Sequence, residues 1–237
     1  MANIAILTAA GIGSRTNQDI PKQFLNVNNI PIIVYTMKAF QNHPEIDEIC
    51  VVILRGWENI LTAYAKQFNI TKLKYVVFGG NTGHESIYNG LKEISKYHSK
   101  NDIVIIHDGN RPLVSNDIIS NNLMVQRKYG SAVTAIPCTE VVFVSDNGES
   151  SDRSIPRETL WRTQTPHSYK LIDLLDVHEK AIKDNFNSAS ASCSLMERYG
   201  VKTFFSKGSE KNLKITTTDD LEIFAALLKS KKDDWIK

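Results

Sequence analysis

The sequence predicts an α/β protein with a doubly wound, mostly parallel sheet and a protruding β-arm. Three observations support this prediction: short apolar runs rich in Val and Ile, longer stretches of helical period between them, and a polar segment with a strong turn signal. Unbroken apolar runs are typical of strands covered on both faces of a parallel sheet, and crossovers between such strands are right-handed by default. Because ligands of these sheets bind outside the carboxyl ends of the strands, that edge is where we expect the chemistry.

Strands and helices alternate through the first half of the chain. The apolar runs of strand length are Asn3–Leu7, Ile49–Leu54, Leu73–Phe78 and Ile103–Ile106. The segments with apolar residues near i, i+3, i+4 and i+7 are Ile33–Phe40, Glu58–Phe68 and Ser86–Tyr97. The second half predicts helices at about Tyr169–Lys183 and Ala191–Tyr199, a short strand near Val201–Phe205 and an amphipathic helix from about Asp219.

The segment Thr139–Leu160 differs from the predicted sheet strands. One β-rich run precedes Asp146-Asn147-Gly148, a strong turn signal, and a polar stretch follows. The pattern predicts a β-arm inserted at about residues 139–160 of a single domain that spans residues 1–237. Arms of this type often pair with a second subunit, and a simple surface hairpin is equally compatible with the sequence.

Composition and charge exclude several classes of function. The 237 residues include 28 Lys and Arg against 26 Asp and Glu, a formal charge of +2, which is too small for an electrostatic nucleic-acid interface. No apolar run approaches the roughly 20 residues of a membrane span. The three cysteines are odd in number and far apart, which favours neither a disulfide framework nor a metal site. The start of the chain lacks a signal-peptide pattern, so we expect a cytoplasmic protein.

A loop of small residues follows the first predicted strand. It reads LTAAGIGSR over residues 7–15, and PKQFL follows at residues 21–25. Small residues let a backbone approach a base or a polyphosphate, and loop N–H groups bind anions. The loop lacks the Walker pattern, and Thr16 stands where the dinucleotide fingerprint has its third Gly. An ordinary tight turn stays open as an interpretation, but the two cations Arg15 and Lys22 favour a triphosphate site.

These two motifs resemble the opening signature of the methylerythritol-phosphate and ribitol-phosphate cytidylyltransferases, a branch of the nucleotidyltransferases. Further motifs match in the family's order along nearly the whole chain: Gly79-Gly80, Glu85–Leu91, His107-Asp108, Arg111-Pro112, Pro156-Arg157, Leu160-Trp161, Gln164–Pro166 and Asn212–Thr216. Each motif is weak by itself, whereas their common order makes the resemblance specific. It implies attack of a polyol-phosphate oxygen on the α-phosphorus of CTP, with release of pyrophosphate.

The resemblance assigns residues to the nucleotide half of the site. Arg15 and Lys22 match cations that stabilise the charge on the α-phosphate, and Lys214 matches a cation that positions both substrates. Asp108 matches the Mg²⁺ ligand, and carboxylate oxygens suit Mg²⁺; a helix cap or loop carboxylate is the plainer interpretation. His107 is expected to be packed or hydrogen-bonded rather than a ligand. The residues expected to contact the nucleotide are Ala9, Ala10, Gly11, Gly13, Gly80, Asn81, Ser86 and Asp108.

The acceptor half is assigned in the same way. Arg111 and Arg157 match phosphate-binding arginines, Arg157 being also a catalytic candidate, and Thr165 matches a neighbouring hydroxyl. Glu140 and Ser190 stand at further acceptor positions. Because Arg157 lies just beyond the presumed arm, the resemblance implies a homodimer in which the arm of one subunit completes the acceptor pocket of the other.

Several positions depart from the methylerythritol-phosphate enzymes. The usual HDAARP reads HDGNRP at residues 107–112, Glu140-Val141 replaces an Asp-Thr pair, Gly83 stands where Arg is common, and Ser190-Ala191 replaces Thr-Asp. Changed hydrogen-bonding groups alter the selectivity of a polar pocket strongly. We therefore expect an acceptor other than methylerythritol phosphate. Ribitol 5-phosphate is the first choice, followed by related alditol phosphates, and the resulting CDP-alditols would serve the synthesis of cell-surface glycans. Methylerythritol phosphate, of isoprenoid synthesis, is the alternative.

Two other classes of function compete with this one. A nucleotide-sugar transferase of the same fold would use another nucleotide, but the retained PKQF and NLKIT motifs argue against it. A catalytically silent homologue would bind nucleotide or a partner chain, but the four charged residues Arg15, Lys22, Asp108 and Lys214 are all present.

Overall fold

The strands of the computed structural model lie within its described residues, which are 1–11, 20–186 and 191–230. They are β1 (Asn3–Ala9), β2 (Asn26–Val27), β3 (Ile30–Pro31), β4 (Glu48–Ile53), β5 (Leu73–Phe78), β6 (Ile103–Asp108), β7 (Ser131–Pro137), β8 (Val142–Val144), β9 (Arg153–Ile155), β10 (Trp161–Lys170) and β11 (Phe205–Lys207). Seven of them form one sheet in the order β11-β7-β10-β6-β1-β4-β5, while β2–β3 and β8–β9 are two-stranded. β10 is antiparallel to its neighbours β6 and β7, whereas the other pairs in this sheet are parallel. The mostly parallel sheet predicted from the sequence is confirmed.

The central strand β1 shows why its apolar run is unbroken. Successive side chains of a strand point to opposite faces of the sheet. Ala5 and Leu7 belong to one buried cluster, and Ile4 and Ile6 belong to another on the opposite face. All four side chains are fully buried because helices cover both faces.

Most of the helices cover the two faces of the sheet. They are α1 (Ile32–Asn42), α2 (Glu58–Gln67), α3 (Gly83–Ile94), α4 (Asn116–Tyr129), α5 (Leu171–Lys183), α6 (Ser192–Arg198) and α7 (Thr218–Ser230). α1, α2 and α4 pack on the face of Ala5, and α3, α5 and α6 pack on the face of Ile4. Among the helices within the described ranges, none is both long and apolar enough to cross a membrane.

A third, smaller cluster fixes the end of the chain. Ile215 and Phe224 are fully buried there against Val27 and Ile32, which come from the β2–β3 hairpin and α1. The carboxylate of Asp220 in the first turn of α7 accepts hydrogen bonds from the backbone N–H groups of residues 216 and 217. The segment just before α7 is therefore held against the body of the sheet.

The structure differs from the sequence-based prediction at several elements. The helix α4 and the strands β7 and β10 were not predicted. α4 nevertheless carries ordinary signals, because Ser115 caps its first turn and Gly130 ends it with a φ of 88°. α3 begins three residues before the predicted start at Ser86, and the strand predicted near 201–205 is β11 at Phe205–Lys207.

The hairpin β8–β9 lies inside the segment 139–160 that the sequence assigns to a β-arm. Val142 pairs with Ile155 and Val144 with Arg153 in antiparallel register. Large apolar side chains on and beside this hairpin face outward: Val141 is 68% exposed and Phe143 is 59% exposed. Its apolar residues therefore contribute little to the core of this chain.

Candidate active site

A cavity of about 790 Å³ opens where β1, β5 and β6 end. These strands run in the same direction, so their carboxyl ends meet at one edge of the sheet. The end of β1 and the loop after it contribute residues 9–11, the loop after β5 and the first residue of α3 contribute residues 80–83, and the end of β6 contributes Asp108. The opposite wall comes from β10 and from the start of α6.

Asp108 lies between two cationic side chains at the end of β6. Its Oδ1 is 3.1 Å from the Nζ of Lys214, and its Oδ2 is 2.9 Å from the Nε of Arg111. Burial alone would raise the pKa of Asp108, but the charges of Lys214 and Arg111 outweigh burial and hold that pKa well below its usual range. The carboxylate is therefore ionised at neutral pH.

Thr165 and His107 form the support behind this carboxylate. The hydroxyl of Thr165 accepts the backbone N–H of Asp108 at 3.1 Å and lies 3.0 Å from the Nδ1 of His107. The Nε2 of His107 is 3.1 Å from the backbone oxygen of Arg111. Burial lowers the pKa of His107 to about 4, so the ring is neutral. The prediction that His107 is a hydrogen-bonded strand-end residue is confirmed.

Lys214 reaches Asp108 because its segment is tied to the loop that follows β6. The backbone N–H of Ile215 donates to the backbone oxygen of Asn110 at 2.9 Å, and the side-chain amide of Asn110 donates back to the carbonyl of Ile215. Arg111 also donates through Nη1 to the carbonyl of Asn212 at 2.8 Å. Asn110, which departs from the family motif, is thus a positioning residue for Lys214.

The turn that carries Lys22 is fixed by its neighbour Gln23. Gln23 is buried, and its Nε2 donates to the carbonyl of Ala9 at 2.6 Å and to the carbonyl of Gly11 at 3.2 Å. Lys22 lines the cavity beside Ala9, Ala10 and Gly11. Sequence reasoning did not assign Gln23 a role, although the PKQF motif contains it.

The loop after β5 packs tightly against the loop after β1. A Cβ added at Gly79 would lie 2.3 Å from the Cβ of Ala10, so only glycine fits there. The Oγ of Ser86 accepts the N–H of Gly80 at 3.1 Å and donates to the carbonyl of Thr82 at 2.8 Å. Asn81 donates its N–H to the carboxylate of Glu85. Ser86 therefore shapes this loop, while its contact with cytosine stays a prediction.

Gly109 explains one departure from the HDAARP pattern. A Cβ at residue 109 would lie 2.9 Å from the backbone oxygen of Thr8 and 2.8 Å from the Cδ1 of Ile33. The N–H of Gly109 donates to the same Thr8 oxygen at 2.9 Å. The loop after β6 is therefore drawn close to β1, which leaves no room for an alanine without a shift of backbone.

The structure brings most of the predicted site residues together in one cavity. The predicted residues that line the cavity are Ala9, Ala10, Gly11, Lys22, Gly80, Asn81, Ser86, Asp108, Arg111, Thr165 and Lys214. Arg15, Gly13 and Ser190 fall outside the described residues. Glu140 is exposed, and the side chain of Arg157 is 55% exposed and donates to the carbonyl of Thr139 at 3.2 Å. Neither of these two arm residues lines the cavity of its own chain, so their roles stay predictions.

The arrangement has the chemistry of a site for polyanions. Lys22, Arg111 and Lys214 present positive charge to one cavity, and small residues let the backbone approach closely. An ionised carboxylate stands among them, available to a hard cation. Charge compensation of this kind is what phosphoryl and nucleotidyl transfer require.

Comparisons with known proteins agree with the fold. A sequence profile of the family described as 2-C-methyl-D-erythritol 4-phosphate cytidylyltransferase (IspD) matches residues 3–230. A ribitol-5-phosphate cytidylyltransferase of Lacticaseibacillus paracasei is 40% identical over 230 residues, covering 96% of this chain and 98% of its own. A 2-C-methyl-D-erythritol 4-phosphate cytidylyltransferase of Clostridium novyi is 36% identical over 236 residues, covering 97% of this chain and 98% of its own.

Solved structures are similar over the same length. The crystal structure of the Francisella tularensis 2-C-methyl-D-erythritol 4-phosphate cytidylyltransferase matches with a TM-score of 0.80 at 31% identity, covering 94% of this chain and 98% of that one. Together with the site, these matches define the protein as an α/β nucleotidyltransferase. The chain belongs to the IspD cytidylyltransferase family, and the resemblance stated from its motifs is confirmed.

Proposed function

We propose that the protein transfers CMP from CTP to ribitol 5-phosphate, giving CDP-ribitol and pyrophosphate. The observation that carries the proposal is the convergence of Lys22, Lys214 and Asp108 on one cavity, although they come from three separate parts of the chain. The choice of acceptor is supported by relatives named ribitol-5-phosphate cytidylyltransferase, at 40% identity in Lacticaseibacillus paracasei and 39% in Vibrio parahaemolyticus.

The reaction joins two anions, so the protein's main task is charge compensation. A phosphate oxygen of the acceptor forms a bond to the α-phosphorus, and the bond from that phosphorus to the oxygen bridging to the β-phosphate breaks. Lys22 and Lys214 offset the negative charge that collects around the α-phosphorus. An acceptor phosphate with a second pKa near 6 is largely dianionic at neutral pH, so the attacking oxygen requires no general base.

Asp108 is the residue that would hold Mg²⁺. Over residues 1–11, 20–186 and 191–230, no three His, Cys, Asp or Glu side chains form a cluster that could bind a metal. One carboxylate fits a cation that takes its other ligands from phosphate oxygens and water, as Mg²⁺ does. When bound, Mg²⁺ would neutralise charge on the triphosphate. Asp108 would then exchange part of its contact with Lys214 or Arg111 for the metal.

The acceptor half of the proposal involves a second copy of the chain. Arg111 and Thr165 line the cavity on the acceptor side, whereas Arg157 projects from the base of the β-arm. The exposed apolar side chains Val141 and Phe143 give the arm a surface that pairing with another subunit would bury. In this proposal a homodimer forms through the arms, and Arg157 of each subunit binds the acceptor phosphate in the site of the other.

Methylerythritol 4-phosphate is the second candidate acceptor. The family profile and the relative from Clostridium novyi, at 36% identity, carry that name. The sequence departures at Glu140-Val141 and Ser190-Ala191, which stand at expected acceptor positions, are an argument for an acceptor other than methylerythritol phosphate.

A pyrophosphate-release assay tests the proposal. The purified protein is given CTP, Mg²⁺ and, in separate reactions, the phosphates of ribitol, arabinitol, mannitol, glycerol and methylerythritol. We expect the highest kcat/KM with ribitol 5-phosphate, and little turnover when UTP replaces CTP. Highest kcat/KM with methylerythritol phosphate would instead select the second candidate, and strict dependence on another nucleotide would refute both. Lys22→Ala protein, purified in parallel, controls for contaminating activity.

A further inference from the structure

The wall of the cavity that faces the nucleotide loops is built from uncharged, mostly polar residues. Thr163, Gln164, Thr165 and His167 come from β10, and Ala191 and Ser192 come from the segment that leads into α6. None of these six residues is a cation, and the nearest charged centre is Asp108 with Arg111 and Lys214, which Thr165 contacts through the backbone N–H of Asp108. The part of this wall beyond Thr165 therefore suits an uncharged, polar part of a ligand.

His167 is the residue of this wall whose hydrogen bonding is incomplete. It is 2% exposed, and its Nδ1 lies 2.8 Å from the Oγ of Ser192, which is 5% exposed. Its Nε2 is buried and makes no hydrogen bond of normal geometry with the described residues, although the backbone of Gln164 lies close enough to the ring to act on its pKa. A buried polar nitrogen without a hydrogen-bond partner costs free energy. A ligand that supplies the partner would therefore bind more tightly.

The protonation state of His167 defines which ligand group fits. Burial lowers the pKa of His167 to about 4; the charge of Asp108 and the backbone of Gln164 oppose this shift, and the charges of Arg111 and Lys214 add to it. The ring is therefore neutral at pH 7 and lies within electrostatic range of the charged centre. If Nδ1 accepts from Ser192, Nε2 is a donor; in the other tautomer, Nε2 is an acceptor. A hydroxyl group both donates and accepts, so it matches either tautomer.

We infer that His167, held by Ser192, binds a hydroxyl group of the polyol chain of the acceptor, an inference that rests on the proposed function. The pair then contributes to selection of a polyhydroxylated acceptor, while the cations of the site bind phosphate. The acceptor is favoured over CTP because the glycine loops after β1 and β5 form the opposite wall, where the nucleotide is expected. His167 is thus a specificity residue of the reaction and not a general base.

A second buried histidine–serine pair, His43 and Ser120, provides the control for His167 and Ser192. His43 is fully buried, and its Nε2 lies 2.9 Å from the Oγ of Ser120. Neither residue lines the cavity. His43→Phe and Ser120→Ala therefore remove the same groups as His167→Phe and Ser192→Ala, but away from the acceptor.

A cycle that combines protein variants with substrate analogues tests the inference. The kcat/KM values for ribitol 5-phosphate and for its analogues lacking one hydroxyl each are measured with wild-type, His167→Phe and Ser192→Ala proteins, with thermal unfolding as a check of folding. We expect that removal of one particular hydroxyl lowers kcat/KM about tenfold with the wild type and less than twofold with His167→Phe. Ser192→Ala should reduce the cost of the same deletion, which keeps the test decisive if His167→Phe does not fold. The KM for CTP should stay within about twofold in each variant, and both control variants should retain the full tenfold cost.

The outcomes separate the inference from the proposed function. Suppose the wild type is active, but removal of each hydroxyl lowers kcat/KM by the same factor in His167→Phe and Ser192→Ala as in the wild type. His167 then has only a structural role, and the inference is overturned. Coupling to the ribose hydroxyls of CTP analogues instead of the acceptor would overturn it as well. If the wild type releases no pyrophosphate with any polyol phosphate, the proposed function itself is refuted, and the inference with it.

Discussion

Lys214 and Asp108 are 106 residues apart in the sequence, yet the Nζ of one lies 3.1 Å from the Oδ1 of the other. The contact joins the segment before α7 to the carboxyl end of β6, next to the loop after β1. It places a cation and a carboxylate at the position where a triphosphate and its metal ion are expected.

Replacement of Lys22 tests whether its charge acts in the transition state. We expect Lys22→Ala to lower kcat by about 10²–10³-fold, the usual cost of removing one group that stabilises transition-state charge. The unfolding temperature should change little, because the turn around residue 22 is anchored by Gln23 and Phe24. Lys180→Ala, which removes an exposed lysine from α5, is the matched control and should retain wild-type turnover. Near-normal activity of Lys22→Ala would remove Lys22 from the mechanism.

Replacement of Asn110 tests how Lys214 is positioned. Asn110→Ala leaves the backbone hydrogen bond to Ile215 but removes the side-chain donor to the buried carbonyl of Ile215. We expect a loss of about 1–3 kcal/mol in the free energy of unfolding, because a buried carbonyl loses its partner. We also expect kcat to fall about tenfold as Lys214 moves. The effect on kcat should vanish in a Lys214→Ala background; an equal effect there would contradict a positioning role.

Mixed dimers test whether the arm works in the site of a neighbouring subunit. Arg157→Ala alone should raise the KM for the acceptor more than the KM for CTP. Lys22→Ala and Arg157→Ala subunits, each nearly inactive, are then unfolded together, refolded and assayed. If Arg157 acts across subunits, random pairing restores about one quarter of wild-type activity, because half of the dimers contain one intact site. An arm that acts within its own chain predicts no recovery from mixing.

The buried histidines predict that the protein loses stability in mild acid. Burial lowers the pKa of His178 to about 3 and the pKa values of His107 and His167 to about 4. Between those values and about 6.5, the unfolded chain binds protons that the folded chain does not, so the free energy of unfolding falls as the pH falls. Each such group contributes a slope of about 1.4 kcal/mol per pH unit at most.

His178→Phe isolates one of these groups. Both ring nitrogens of His178 lack hydrogen-bond partners among the described residues, and the ring stacks on His84 at 4.2 Å between centroids. A phenyl ring retains the stacking and removes the two unpaired nitrogens, so stability at neutral pH should be kept or raised. Urea unfolding between about pH 5 and 7 should show a shallower pH slope for the variant. An unchanged slope would mean that His178 does not contribute to acid destabilisation.

Much of the site was predictable because it follows local rules. Parallel strands end at one edge of the sheet, so the small-residue loop after β1 and Asp108 at the end of β6 were expected to be neighbours, and they are. His167, Ser192 and the tie between Asn110 and Ile215 were not assigned from the sequence. Their importance depends on partners 25 and 105 residues away, respectively. No periodicity within one segment encodes such a pairing.

The sequence by itself determined the alternation of strands and helices, the order of the family motifs and the cations available to a triphosphate. Only the tertiary structure decided that β10 enters the sheet between β6 and β7 as its antiparallel strand. β10 is rich in polar residues and lacks the apolar run of a buried strand. Its second part, Gln164–Tyr169, is nevertheless buried, and there Asn122 of α4 accepts from Ser168 and donates to the carbonyl of Pro166, which satisfies polar groups that the strand's own sequence leaves open. Hydrogen bonds between distant segments, rather than local pattern, thus set the second wall of the site.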